Sequence, residues 1–232
     1  MPITLYELAA ANPEIRFSPY CWRTRFALAH KGLEVEGVPW HFTQPERLAF
    51  SGQAKVPVLV DGEQVVSDSW EIAKYLDAAY PDRPSLFGGE AGLAHAAFIN
   101  AWADGVLNPG ISRLIVADIL PALRPEDHGY FRQSRERNFG MPLADVIAGR
   151  ETRVEAWRQT LAPIRLTLRR QPWLGGDAPD YADYIVLGSL QWPRCISRFP
   201  LLEADDPVAE YLARGLALFG GLGANAPTVA AA

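Results

Sequence analysis

The sequence predicts a small α/β domain followed by an all-helical domain. Strand and helix patterns alternate over the first 80 residues, a segment with two prolines follows at 80–85, and beyond it only helical patterns occur. The chain has 232 residues, of which 49% are hydrophobic, so it is long enough to bury a sizeable core. We place the α/β domain at 1–80, the linker at 81–88 and the helical domain at 89–232.

Short patterns define the elements of the α/β domain. Apolar runs with β-branched residues predict strands at 3–8, 35–40, 56–60 and 65–66, with Asp61-Gly62 as a hairpin turn between the last two. A helix between the first two strands makes them a parallel pair with a right-handed crossover. The predicted order is β-α-β-β-β-α with a mixed sheet.

The two helices of this domain are predicted from their N-terminal signals. Ser18 is a good N-cap, Pro19 suits the first helical position, and Gly32 ends the helix. Asp68, with Glu71 three residues later, predicts a capping box for a helix that runs to about residue 80.

The second domain is predicted to contain six helices, whose ends coincide with proline or glycine. Asp180 and Asp183 cap the fifth of them, and we assign both residues a structural role. The predicted helices lie at 91–107, 112–123, 142–148, 150–170, 181–197 and 206–219.

Composition and missing motifs exclude several classes of protein. The net charge is −5 and no run of five basic residues occurs, which argues against a nucleic-acid binder. The longest apolar stretch, at 114–123, is too short for a membrane span, and no secretory signal is visible. The four histidines are dispersed and the two cysteines cannot form a disulfide framework, so we expect no metal site and a cytoplasmic location.

Pro57 is unusual because it lies in a predicted strand. Proline removes a ladder donor, so an edge strand is the simplest explanation. A cis bond before Pro57 would instead turn the backbone of Val56 outward, free to bond a ligand. Helix starts at Ser18 and at Asp68-Ser69 lie on the same side of such a sheet, where they favour anions. A ligand with a carboxylate at one end and a thiolate elsewhere, such as glutathione, suits this arrangement.

Three segments resemble the glutathione S-transferase superfamily in order and spacing along nearly the whole chain. They are KVPVL at 55–59, DSWEIAKYL at 68–76 and WLGGD with DYAD at 173–183. The resemblance implies a thioredoxin-like N-terminal domain, a helical C-terminal domain, glutathione as cosubstrate and a homodimer.

Four shorter motifs resemble more narrowly the bacterial β-etherase branch and its fungal relatives. They are SPYCWRTR at 18–25, YPDRP at 80–84, AGRE at 148–151 and DDP at 205–207. The resemblance implies that glutathione thiolate displaces phenoxide from β-aryl ethers of lignin-derived aromatic ketones. The alternative is a protein of the same fold that binds glutathione or aromatic ligands with little or no turnover.

The resemblance also implies roles for residues of the first domain. Ser18 would donate a hydrogen bond to the glutathione sulfur, which makes it the candidate catalytic residue, although an N-cap role alone explains a serine there equally well. Asp68 and Ser69 would hold the γ-glutamyl end in addition to capping their helix. Val56 and Pro57 would present backbone to the cysteinyl residue.

For Lys55 and Cys21, a structural role is the alternative to the functional one. Lys55 would reach the glycyl carboxylate of glutathione, unless it is a solvated surface lysine. Gln53 and Gln44 are weaker candidates in the same loop. Cys21 would be needed for a thiol reductase, but we expect a small buried side chain there because the exposed first position of the motif is serine.

The acceptor site is expected between the domains, where pockets commonly form. Aromatic side chains would supply its walls, although for each one singly core packing is the alternative. The candidates are Tyr20, Trp40, Phe42, Trp102 and Trp192.

Overall fold

A computed structural model describes residues 2–229 and contains a four-stranded sheet followed by a bundle of helices. The strands are β1 (Ile3–Leu8), β2 (Val35–Trp40), β3 (Val58–Asp61) and β4 (Gln64–Ser67). Their order in the sheet is β2-β1-β3-β4, with β1 and β2 parallel and the other neighbours antiparallel. The predicted mixed sheet is confirmed.

Two helices and one short 3₁₀ segment complete the α/β part. α1 (Pro19–His30) connects β1 to β2, and α2 (Ser69–Ala79) follows β4. A 3₁₀ segment, Pro45–Ser51, which the sequence did not predict, lies between β2 and β3. The observed order is therefore the predicted β-α-β-β-β-α.

Between residues 80 and 229 the secondary structure is mainly helical. The helices are α3 (Glu90–Trp102), α4 (Asn108–Ile119), α5 (Pro125–Phe139), α6 (Leu143–Ile147), α7 (Arg150–Gln159), α8 (Ala162–Leu168), α9 (Tyr181–Ile196) and α10 (Pro207–Leu216), with a short turn at Leu218–Gly221. Fourteen of the sixteen residues of α9 are buried, which makes it the central helix of this part.

Three features of the helical part differ from the prediction. α5 was not predicted, because only Asp127 and Phe131 of its side chains are buried and no apolar period marks it. The predicted helix at 150–170 is two helices, because Pro163 lacks the N–H that an uninterrupted helix would need. The predicted helix at 91–107 does not end before Pro109, since a π-helical turn at Ala103–Leu107 joins α3 to α4.

Pro57 lies just before β3, and the Val56–Pro57 peptide bond is cis, as the ligand-binding interpretation predicted. The edge-strand explanation is wrong, because β3 is paired on both sides. Pro57 precedes the first ladder residue, Val58, so its missing N–H removes no ladder bond.

The predicted caps of α9 and α2 differ in completeness. At α9, the side chains of Asp180 and Asp183 form both reciprocal bonds. At α2, the Asp68 carboxylate accepts from the backbone N–H groups of Trp70 and Glu71, but Glu71 pairs with Lys74 at 2.8 Å. Asp68 therefore acts as a simple N-cap.

α1 packs directly on α9, and this contact joins the α/β part to the helical part. A Cβ atom added at Gly188 of α9 would lie 2.6 Å from the carbonyl oxygen of Pro19. The buried guanidinium of Arg23 bonds Asn100 Oδ1 at 2.7 Å and Asp104 Oδ1 at 3.0 Å. Tyr181 donates a hydrogen bond from its hydroxyl to the carbonyl of Ser69 at 2.7 Å. The starts of α1 and α2 are thereby both held against the bundle.

Within residues 2–229, no helix is long and apolar enough to cross a membrane. Over the same range, no group of three His, Cys, Asp or Glu side chains is placed to hold a metal ion.

Candidate functional site

A cavity of about 390 Å³ lies between helices of the bundle and the end of the sheet where β1 and β2 finish and β3 begins. Its walls come from the loop before α1, from the segment before β3, from α4, α5 and α9, and from the end of β2. The polar, charged and aromatic residues that line it include Ser18, Tyr20, Trp40, Phe42, Lys55, Asp104, Asn108, Tyr130, Phe131, Arg135 and Trp192, and Val56 lines it too.

Ser18 lies in the cavity wall at the N-terminus of α1. Its backbone is extended, and its Oγ accepts a hydrogen bond from the N–H of Cys21 at 3.4 Å, which is long for a capping bond. The side chain is 5% exposed, so what remains accessible faces the cavity. A buried hydroxyl at a helix N-terminus can donate to an anion while the helix end adds positive potential.

Lys55 and Val56 line the same cavity as Ser18. Lys55 is exposed, and Val56 is half-buried beside the cis bond. The carbonyl of Pro57 accepts a hydrogen bond from the N–H of Asp68 at 3.3 Å, which places the start of α2 directly next to Val56. The sheet therefore brings two helix N-termini and the strand-start backbone together.

The start of α2 carries a backbone conformation that is unfavourable for residues other than glycine. Asp68 has φ of 76°, while its carboxylate is exposed and accepts the two capping bonds. Ser69 is 2% exposed and follows it. Residues held in such conformations cluster at binding sites, where the surrounding structure maintains them.

Gln53, Pro57, Asp68 and Ser69 do not line the cavity themselves. Pro57 is buried behind Val56, and the Asp68-Ser69 pair lies beyond it at the α2 start. Gln53 is exposed, and its N–H donates to Ser51 Oγ at 3.2 Å. Of the four, Gln53 and Asp68 are exposed and Pro57 and Ser69 are buried, and none of them forms a wall of the cavity.

Four of the five predicted aromatic residues meet at the cavity: Tyr20, Trp40, Phe42 and Trp192. Trp40 is buried and donates from Nε1 to the carbonyl of Gln44 at 2.7 Å, while its ring meets that of Phe42 edge-on at 6.2 Å. The fifth, Trp102, lies with Phe98 and Ile164 in a different depression between α3 and α8. Trp102 is the last residue of α3, and its side chain does not line the cavity with the other four.

The wall formed by α5 was missed by the sequence reasoning. It contributes Tyr130, Phe131 and Arg135, and the rings of Tyr130 and Phe131 lie 5.8 Å and 5.7 Å from that of Phe42. Pro125 at the first position, with Glu126 and Asp127 in the first turn, was a helix-start signal in the sequence. An aromatic pair inside such a helix could have been taken as a further pocket wall.

The charges in the cavity wall are unevenly paired. Asp104 bonds the guanidinium of Arg23 at 3.0 Å and the amide of Asn108 at 3.3 Å. Burial raises the pKa of the Tyr20 hydroxyl, and the Asp104 carboxylate raises it further. Tyr20 is therefore a neutral side chain at physiological pH, and the Arg23 guanidinium lies over its ring at 4.8 Å.

Cys21 cannot serve as a reactive thiol in this fold. Its side chain is fully buried, and burial raises the pKa of the thiol to about 12. Cys195 is also buried, with a pKa raised by burial to about 12. Both thiols are protonated at neutral pH and shielded from solvent, which argues against the thiol reductase hypothesis.

Two family models match the chain. One, described as glutathione S-transferase, N-terminal domain, matches residues 13–84. The other, described as glutathione S-transferase, C-terminal domain, matches residues 94–201. The two matched ranges contain both the cavity wall at α1 and the walls at α4, α5 and α9.

Two curated relatives match over shorter stretches. A zeta-class glutathione S-transferase of Euphorbia esula is 44% identical over 70 residues, which covers 28% of this chain and 31% of the relative. The glutathione S-transferase-like protein ustS of Aspergillus flavus is 30% identical over 141 residues, covering 54% of this chain and 49% of the relative. The chain therefore spans about a third to a half of the length of these relatives.

Solved structures match over nearly the whole chain. Glutathione transferase GSTFuA3 of Phanerochaete chrysosporium superposes with a TM-score of 0.83 at 27% identity, covering 93% of this chain and 96% of that one. The glutathione S-transferase CsGST63524 of Ceriporiopsis subvermispora, solved in complex with glutathione, gives a TM-score of 0.76 at 25% identity, with 95% and 97% covered.

Proposed function

Because this chain belongs to the glutathione S-transferase superfamily, we propose that it is a glutathione-dependent transferase of the β-etherase type. The observation that carries the proposal is that Ser18, at the N-terminus of α1, shares one cavity with Val56 and with an aromatic wall. A thiolate and an aromatic acceptor could thus meet in a single space.

Glutathione is the cosubstrate in this proposal, and its sulfur is the nucleophile. The Ser18 hydroxyl and the positive end of α1 favour thiolate over thiol. Val56 offers backbone bonds to the cysteinyl residue, Lys55 reaches the glycyl carboxylate, and Asp68 with Ser69 binds the γ-glutamyl end. The exposed Asp68 carboxylate is free to pair with the γ-glutamyl ammonium.

The reaction is a substitution at the carbon next to an aryl ketone. The thiolate forms a C–S bond there, the C–O bond of the β-aryl ether breaks, and the phenoxide leaves with the electron pair. The neighbouring carbonyl activates that carbon, and Tyr20, Trp40, Phe42 and Trp192 pack against the aromatic rings. The protein holds the two reactants in line and supplies the thiolate.

We further propose a homodimer, since C₂ dimers are the commonest homo-oligomers.

Phenol release tests this function. The protein is incubated with glutathione and a β-aryl ether of an aromatic ketone, and the free phenol and the glutathione thioether are quantified against a protein-free control. Release that saturates with both substrates supports the transferase. Tight binding of the ether without release supports the alternative, a ligand-binding protein of the same fold.

A further inference from the structure

Arg135 places a positively charged group in the cavity wall, and no carboxylate of residues 2–229 pairs with it. Its guanidinium lies 5.0 Å from the ring centre of Phe131 and 5.5 Å from that of Phe42. Its one hydrogen bond in the described part of the chain runs from Nη1 to Oγ of Ser134 at 3.1 Å. Aromatic faces hold the plane of a guanidinium but leave its N–H edge free to bind an anion.

The surrounding charges leave this arginine uncompensated. Of the cavity-lining residues that the structure describes, Asp104 alone is acidic, and Arg23 already pairs with it at 3.0 Å. Lys55 adds a second positive charge to the lining. The cavity therefore has an excess of positive charge although the chain as a whole carries −5.

Burial of the Arg135 guanidinium costs free energy unless an anion binds to it. The pKa of Arg135 is lowered by burial, which means that its surroundings disfavour the charge, and Tyr130 offsets this only in part. A guanidinium in such a place gains most from a planar anion that accepts two parallel N–H bonds, and a carboxylate has that shape.

We infer that the acceptor substrate of this site is an aromatic molecule that carries a carboxylate, and that Arg135 binds this carboxylate. The inference rests on the proposed transferase function, for which it names the substrate class. Arg135 on α5 and Ser18 before α1 line one cavity of about 390 Å³, a volume in the range of small-molecule sites. An acceptor can therefore place its carboxylate at Arg135 while its aromatic body packs on Phe42.

The test uses two β-aryl ether ketones that differ in one group. Both bear a substituent on the ketone-bearing ring, a carboxylate in one and a primary carboxamide in the other, so that shape and electron withdrawal are similar. The wild-type protein should prefer the carboxylate in kcat/KM by about tenfold or more, because a hydrogen bond to a charged group is worth about 1.5–3 kcal/mol. Arg135→Gln should bring this ratio near one, mainly through lost activity on the carboxylate ether, and Arg135→Lys should keep part of the preference.

Arg113→Gln is the matched control. The Arg113 guanidinium also lies over a phenylalanine ring, that of Phe139 at 5.4 Å, but Arg113 is exposed and does not line the cavity. This variant should keep the wild-type preference. An equal loss of preference in both variants, or an equal loss of activity on both ethers in Arg135→Gln, overturns the inference and makes Arg135 a packing residue. A raised KM for glutathione with unchanged acceptor preference also overturns it.

A binding measurement separates this inference from the proposed function. Calorimetric titration of the whole protein with 2-naphthoate and with 2-naphthamide needs no turnover. If neither ether is cleaved, the transferase proposal fails, yet tighter binding of naphthoate that Arg135→Gln abolishes still supports the carboxylate site. Naphthoate that binds no more tightly than naphthamide overturns the carboxylate site even where phenol release is observed.

Discussion

Ser18 can serve two roles at one backbone position. As N-cap of α1 it accepts a hydrogen bond from the Cys21 N–H, and as a cavity-lining hydroxyl it can donate its own hydrogen to a sulfur. A hydroxyl can do both at once, because it has one donor and two acceptor lone pairs. The capping role is a structural fact, whereas the catalytic role is part of the proposal.

Ser18→Ala separates these roles. Loss of the cap should lower the free energy of unfolding by about 1 kcal/mol. Turnover should fall by about tenfold or more, while KM for glutathione changes less, since the bond matters most where thiolate charge is held for attack. Steady-state kinetics and thermal unfolding of the same samples measure both effects. Unchanged turnover would make Ser18 a helix cap only.

Ser18→Cys provides the complementary control. A thiol at this helix start, which lines the cavity, should attack oxidised glutathione, forming a protein–glutathione disulfide and releasing one glutathione thiol. Intact-mass spectrometry should show the adduct in the variant and not in the wild-type protein, where Cys21 and Cys195 are buried. An equal adduct in both would contradict the burial argument.

At the scale of elements, the packing of α1 on α9 sets where the cavity lies. Gly188 permits this approach, because a Cβ there would come within 2.6 Å of the Pro19 carbonyl and 3.0 Å of the Arg23 backbone nitrogen. Gly188→Ala must push α1 away from α9, and Ser18 moves with it. We expect a loss of about 1–3 kcal/mol in unfolding free energy, with reduced turnover.

Gly129→Ala is the matched control for this substitution. Gly129 lies on the exposed face of α5, and an added Cβ there meets nothing within 4 Å. The free energy of unfolding of this variant should rise by about 0.5–1 kcal/mol, because alanine is a better helix former than glycine. Chemical denaturation of the three proteins measures both changes, and similar shifts in the two variants would refute the close-packing explanation.

Asp127 ties α5 to the loop after β2 and so connects two walls of the cavity. Its carboxylate accepts from the N–H of Thr43 at 2.9 Å, from the Thr43 hydroxyl at 2.8 Å and from Arg124 Nε at 2.9 Å. Burial by itself raises the pKa of this carboxyl, but the bonds from Arg124 and Thr43 outweigh burial and hold the pKa below its ordinary value.

This lowered pKa gives Asp127 a pH-dependent contribution to stability. The unfolded chain binds the proton more readily, with a pKa of about 3.9, so the contribution is present above that pH and is lost as pH falls through the folded pKa. Asp127→Asn should lower the free energy of unfolding by about 1–3 kcal/mol at pH 7. Its difference from the wild-type protein should become smaller below a pH of about 4. Urea unfolding at both pH values measures this difference, and a difference that does not change with pH would contradict the assignment.

At the scale of the whole molecule, the proposed homodimer needs an apolar surface. Phe98 on α3 is 69% exposed, the highest value among the large apolar side chains that the structure describes, and it borders the depression that holds Trp102 and Ile164. We expect a sedimentation mass near twice 25.6 kDa for the wild-type chain at micromolar concentration, and near 25.6 kDa for Phe98→Asp.

Met141→Asp is the control for the dimer experiment. Met141 is also an exposed apolar residue of the helical part, 41% exposed, but lies between α5 and α6. This variant should keep the mass of the wild-type protein. A wild-type mass near that of one chain would argue against the homodimer. If Phe98→Asp remains a dimer, Phe98 is not part of the interface.

Local signals explain how much of the fold could be predicted. The starts of α1, α2 and α9 follow from Ser18-Pro19, Asp68 and Asp180, since a cap acts within a few residues. The strands follow from short apolar runs. α5 lacks such a run, because only Asp127 and Phe131 of its side chains are buried. The break at 160–161 precedes Pro163, which lies inside an otherwise helical pattern.

The sequence by itself determined the α/β-plus-helical fold, the cap at Ser18 and the special position of Pro57, because caps, prolines and hydrophobic period act over a few neighbouring residues. Only the tertiary structure decided which side chains share a cavity with Ser18. It brought in Arg135 from α5 and left out Trp102, because helix rotation and long-range packing set the face that each side chain presents. Those are properties of the packed chain, and no local pattern encodes them.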